Sequence, residues 1–142
     1  MADDGAGPAV VAVLREAGFP TGVRVEDGAS DSLRLVSLWN GEPHVWLIDA
    51  LIRDQPPGTV HRLAHAEILS IPQRHGTVHQ LSLPESLRWL AVAEPAMATI
   101  TYRLWGIEPA FVEPRPGLSA PVAAAVQAVA AEIMRVATAQ SC

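Results

Sequence analysis

At 142 residues and a hydrophobic fraction of 49%, the chain is long enough for one domain around a buried core, expected to span residues 1–142. Its formal charge of -5, with ten cations that are all arginines and nowhere clustered, argues against nucleic acid or an anionic membrane surface as a partner. No apolar run approaches the roughly 18 residues of a membrane span, no basic segment leads into a signal-like stretch, and the single Cys142 has no internal disulfide partner, so the expectation is a soluble, cytoplasmic protein.

The chain opens MADDGAGP, two acids in a glycine-rich turn ahead of a helix. Residues 8–17 place Val10, Val11, Val13, Leu14 and Ala17 mostly on one helical face, with Pro8 suited to the first turn and Gly18 to the end. Residues 22–27 (GVRVED) alternate apolar and charged and predict a half-exposed strand ending at Asp27-Gly28. Residues 30–39 predict a helix with Leu33 and Val36 facing inward. HVWLIDA, with Val45 to Ile48 continuously apolar, predicts a strand of a parallel sheet covered on both faces, with Asp49 at its carboxyl end.

QPPGT predicts a turn and residues 59–63 (TVHRL) an edge strand. Residues 64–79 show no sustained period, contain Pro72, Gly76 and three of the five histidines, and predict a long loop, which in a compact domain is functional or mobile. Ser82-Leu83-Pro84-Glu85 has the spacing of a capping box, followed by a helix with Leu83, Leu87 and Leu90 on one face. Residues 98–107 (ATITYRLWGI) form the best strand by β-propensity. Ser119 opens a long helix in which Val122, Val126, Val129, Ile133 and Val136 step down one stripe. The alternation predicts a three-layer α/β fold with a mostly parallel, twisted sheet flanked by helices.

Ligands of open α/β sheets gather outside the carboxyl ends of the strands. Asp49 ends an apolar run at such a place, where an ionised carboxylate must reach solvent or find a partner; the plainer alternative is an acid that caps the next turn. His79, just upstream of Ser82, falls at the mouth of the loop, with His75 as its competitor and a simple surface histidine as the alternative. Asp3 and Asp4 have their own plain explanation in the partial positive charge of a helix N-terminus. Together, two carboxylates and an imidazole from three loops make an O/O/N set suited to a divalent first-row metal with open positions, without the thiolates of a structural zinc site. No G-x-S-x-G, H-E-x-x-H, P-loop or G-x-G-x-x-G occurs, which leaves serine, cysteine and zincin protease chemistry without support.

The ordered blocks DDGAGP, VEDG, HVWLIDAL, PPGTVHRL, TVHQLSLPESLRWL, YRLWGIEP and GLSAPVAAAVQAV closely resemble the hydrogenase maturation endopeptidases over almost the whole chain. That resemblance implies an endopeptidase that removes the C-terminal extension of a [NiFe]-hydrogenase large-subunit precursor after nickel insertion, using nickel supplied by the substrate as its recognition signal. It implies Asp4, Asp49 and His79 as the metal-binding and catalytic set, and Asp27 and Gly28 near the substrate groove. Glu108 matches a family block as well, with a structural role bonding backbone amides as the plainer reading.

The family pattern begins with an apolar strand and a G-x-G-N turn ahead of DDG, a central strand that the 142 residues do not contain. The expectation is a start codon assigned too far downstream, against the alternative of a truncated relative that acts as a non-catalytic nickel-sensing or scaffold partner of a hydrogenase subunit. A flavodoxin-like flavin binder fits the layer order but not the missing phosphate loop.

Overall fold

The computed structural model describes residues 5–18, 22–26, 32–72, 83–110 and 117–140. The elements are α1 (Ala6–Ala17), α2 (Leu35–Leu38), β1 (His44–Ala50), β2 (Val60–Ala64), α3 (His65–Leu69), α4 (Leu83–Ala93), β3 (Thr101–Ile107) and α5 (Ala120–Gln140), with short 3-10 turns at Ser32–Arg34 and Pro95–Thr99. The three strands form one sheet in the order β1-β3-β2. Contacts divide the chain into one compact unit of Met1–Ser30, Ile48–His61 and Trp105–Cys142 and another of Asp31–Leu47 and Arg62–Leu104.

The first unit is built on a helix pair. Ala6, Val10 and Leu14 follow one another at intervals of four and are buried, the stripe that an amphipathic helix turns toward its partner. That partner is α5, against which α1 packs, with Val122, Val126, Val129 and Ile133 buried as their spacing predicts and Ala125, Ala130 and Ala137 filling the narrower positions. Burial of each Val or Ile in such a seam stabilises by about 1.5–3 kcal/mol. Against the expectation drawn from the sequence, Ala120–Ala139 is by length and composition apolar enough to cross a membrane; its buried stripe packs in the seam with α1. Gly18, at φ 79°, ends α1 in the left-handed region that glycine enters without penalty. Trp105, buried at the carboxyl half of β3, donates its indole N–H to Glu132 of α5.

In the second unit α4 packs on α3 and on both 3-10 turns, with Leu87 and Leu90 buried and Leu83 half-buried. The long loop expected over residues 64–79 is partly helical. Residues 65–69 form α3, whose start is closed by the Glu67 side chain reaching back to the Ala64 N–H at 3.1 Å, a local cap that a period-based reading of so short a segment does not detect. His65 opens this helix as a structural residue: its Nδ1 accepts the Tyr102 backbone N–H at 3.0 Å and its ring stacks on Tyr102 with centroids 5.6 Å apart.

Four further expectations need correction. Residues 22–26 are described but belong to no strand; an extended segment becomes a strand only with a ladder partner, and this one is instead fastened to α1 by Arg15, which donates to the Val25 carbonyl at 3.2 Å. The helix expected over residues 30–39 shrinks to a 3-10 turn and the four residues of α2, with Leu33 and Val36 exposed. β1 is half-buried rather than covered on both faces, because β3 takes the centre of the described sheet. The sheet is mixed: bonds from Thr101 N to Pro43 O and from Leu51 N to Ile107 O climb both chains together, so β1 and β3 are parallel, whereas Glu108 pairs with Thr59 while Tyr102 meets His65, so β2 runs antiparallel to β3.

Tyr102 is 5% exposed and its hydroxyl has no partner among the described residues; burial pushes its pKa above the ordinary 10.0. The folded state therefore holds the proton more tightly than the unfolded state, and the associated stability is intact below about pH 10 and lost as the pH rises beyond it. Replacing Tyr102→Phe is expected to leave neutral-pH stability unchanged or raise it by about 1 kcal/mol. The same change should flatten the alkaline loss, as read by urea unfolding midpoints measured from neutral pH to about pH 11.

Candidate functional site

The carboxyl ends of β1 and β3 and the beginning of antiparallel β2 lie at one rim, and the chain there is held by backbone chemistry. Leu51 N donates to Ile107 O at 3.0 Å, which in a parallel pair sets residue 50 level with 107 and Asp49 level with Gly106. On the other side of β3, Glu108 N donates to Thr59 O at 2.9 Å and Gly58 N donates to Glu108 O at 2.8 Å. Two residues thus oppose one, a bulge whose first position demands positive φ, and Gly58 supplies φ 86°. The same glycine is the third residue of a turn closed by Thr59 N to Pro56 O at 3.1 Å, with Pro57 before it, as a type II turn requires. QPPGT is therefore turn and bulge together, and a Cβ on Gly58 would stand 2.5 Å from the Pro121 carbonyl of α5.

Glu108 follows β3 directly and is 3% exposed. Its Oε1 accepts the Arg53 N–H at 2.8 Å and the Gln55 N–H at 3.3 Å, its Oε2 lies 3.2 Å from the same Arg53 nitrogen, and His61 Nε2 stands 3.0 Å from Oε1. Between the two amides Asp54 adopts φ 59°. Such an excursion turns alternate N–H groups to one side, which is how backbone forms an anion-binding nest; here the anion is the protein's own carboxylate. The structural role that the sequence allowed for Glu108 is the one it has.

Register places Asp49, Gly106 and His61 in one row across β1, β3 and β2, and paired residues of neighbouring strands share a face. The middle position carries no side chain, and Leu51 occupies the space: its Cβ lies 2.7 Å from where a Gly106 Cβ would be. Asp49 is exposed, one residue before the end of β1, and its Oδ1 accepts the Ala50 N–H at 2.8 Å. The first turn of α1 closes on the same point, since a Cβ on Gly7 would stand 2.6 Å from the Ile48 carbonyl oxygen and 3.7 Å from the Asp49 Cα. A strand-end carboxylate reaching solvent, with a helix N-terminus against its backbone, is the electrostatic setting of a ligand-binding rim in an open α/β sheet.

Of the residues proposed from sequence, Asp49 is the one described. Asp4, Asp27, Gly28 and His79, together with Asp3 and His75, lie outside the described residues. Among the described residues no three His, Cys, Asp or Glu side chains gather as a metal cage. His61 was missed as a candidate, although the signal was present: in TVHRL the period of two puts it on the face of Leu63, which is buried, so its ring had to point inward and find a polar partner.

The sequence matches the family model described as hydrogenase maturation protease over residues 8–136. No curated protein matches it. Among solved structures it is similar to the [NiFe] hydrogenase maturation protease HybD from Thermococcus kodakarensis, at 27% identity over 96% of this chain and 91% of that one with a TM-score of 0.79. It shares a fold with the hydrogenase maturating endopeptidase HybD from E. coli, at 23% identity over 96% and 84% with a TM-score of 0.77. The same holds for the [NiFe] hydrogenase maturation protease HycI from Thermococcus kodakarensis KOD1, at 16% identity over 96% and 85% with a TM-score of 0.73.

The close approach of α1 to β1 has a built-in control. Gly5 and Gly7 stand two residues apart, and a Cβ on Gly5 would meet nothing within 4 Å. Gly7→Ala should lower stability by about 1–3 kcal/mol through overpacking, while Gly5→Ala should change it little; equal denaturation midpoints for the two variants would contradict the contact.

Proposed function

Since the chain belongs to the hydrogenase maturation protease family and is an endopeptidase that processes the C-terminus of a hydrogenase large-subunit precursor, we propose that it cuts a [NiFe]-hydrogenase precursor once nickel has been inserted. The metal arrives with the substrate, and Asp4, Asp49 and His79 recognise it. The observation that carries this reading is Asp49: an exposed carboxylate at the ligand end of a parallel strand, with the first turn of α1 packed on its backbone. Asp4 lies three residues before Gly7 in the sequence, and His79 four residues before α4.

Two carboxylates and an imidazole suit a borderline divalent ion better than a thiolate set would, and leave coordination positions for a peptide carbonyl or water. When bound, the metal supplies Lewis acidity, polarising a carbonyl or lowering the pKa of water. What the chain's own residues contribute is placement. Asp49 presents an acceptor anchored by the Ala50 amide, and Asp27 and Gly28 are assigned to binding the extended substrate. We place the protein in the cytoplasm with its precursor substrate.

Asp49→Asn and His79→Ala are each expected to abolish cleavage of a nickel-loaded precursor, followed as a mobility shift of the large subunit, while far-ultraviolet circular dichroism stays that of the wild type. Undiminished cleavage by either variant would overturn the assignment.

A further inference from the structure

The pair formed by Glu108 and His61 does more than end a strand. A buried acid is not needed to stop β3; an apolar residue would avoid the desolvation that a carboxylate incurs. This carboxylate is 3% exposed and its ring partner is 11% exposed by side chain. All four of its contacts go to the connection between β1 and β2 or to His61, the second residue of β2. One residue thus holds that connection in its middle through its side chain, at Arg53 and Gln55, and at its far end through its backbone, at Gly58 and Thr59.

The near end begins two residues after Asp49, where Leu51 is fastened by its amide to Ile107 and by its side chain over Gly106. Asp54 at φ 59° shows how closely the connection is determined, since a non-glycine residue stays in that region only where its surroundings fix it. Asp49, His61 and Glu108 belong to the same face of the sheet at its ligand end.

We propose that Glu108 and His61 are positioning residues for the cleavage reaction: His61 locks the Glu108 carboxylate, the carboxylate holds residues 51–59, and that connection fixes the orientation of Asp49 at its root. The proposal rests on the protease reading above and adds to it two residues that touch neither substrate nor metal. Displacing a reacting group by an ångström costs turnover more than binding, so the signature is a loss in kcat with KM kept.

The test uses the full chain and a nickel-loaded precursor, with His61→Leu, His61→Gln and Glu108→Gln. Leucine removes the ring nitrogen, whereas glutamine carries an N–H to a similar reach. His61→Leu should lower kcat by roughly 10- to 100-fold at unchanged KM, with the circular dichroism spectrum of the wild type kept at the assay temperature, and His61→Gln should recover most of it. In the same samples, hydrogen exchange of the Arg53 and Gln55 amides should be slow in the wild type and in His61→Gln, and fast in His61→Leu. Glu108→Gln should behave as His61→Leu does, and it carries the test should the leucine variant not fold. Wild-type turnover in His61→Leu, equal losses in the leucine and glutamine variants, or unchanged amide exchange would each overturn the proposal. A wild-type chain that leaves the precursor uncut overturns the protease reading instead, and the exchange measurement then still decides whether the clamp holds the connection.

Discussion

The Glu108 carboxylate accepts from the Arg53 and Gln55 amides and meets His61 Nε2, while the backbone of the same residue is bonded to Thr59 and Gly58. Each of those amides lies in a connection with no regular structure of its own, where burial without a partner would cost on the order of 1–3 kcal/mol per group. The side chain therefore does for the connection what a neighbouring strand does for a ladder. The rim at the carboxyl ends of β1 and β3 keeps its shape because one acid gathers the backbone that would otherwise need water.

Around that acid the chain solves its close contacts by omitting side chains. Gly7 lets the first turn of α1 rest on the Ile48 carbonyl, Gly58 lets the bulge meet the Pro121 carbonyl of α5, and Gly106 gives room to Leu51. At each point a methyl group would have to occupy space within 3 Å of atoms already there. At Gly7 and Gly58 the nearest atoms are backbone, a contact that is stiff because neither side has a rotamer to change, and that stiffness is what a strand-end carboxylate requires if it is to meet a ligand without first reorganising.

Much of this was legible in the sequence, and unevenly. The α1 and α5 seams, the HVWLIDA strand with Asp49 at its end, the PPGT turn and the strand before GIEP are all periodicity or turn chemistry, which are local properties. The α3 turn and the truncated helix near Leu33 were missed because segments of four or five residues are decided by a single cap or contact. GVRVED alternates as a strand should, yet pairing is not local, and residues 22–26 are fastened to α1 by Arg15 instead. His61 could be assigned a face but not a partner, since Glu108 lies 47 residues further along the chain. Asp49 stands where the apolar run and its acid predicted, whereas Asp4 and His79 were proposed from the motifs around them and lie outside the described residues.

The nest around Glu108 recognises Arg53 and Gln55 through their amides alone, so the clamp places no demand on the identity of their side chains beyond excluding proline. At Arg53 and Gln55 the side chain can therefore vary while the path of the connection stays constant. Glu108 and His61 depend on each other through their side chains, whereas Gly58 is required by its φ of 86° and by the Pro121 carbonyl. Diversity and constraint are thereby separated within a dozen residues: the main chain keeps the geometry, and the side chains beside Asp49 remain available to be rewritten for a different protein surface.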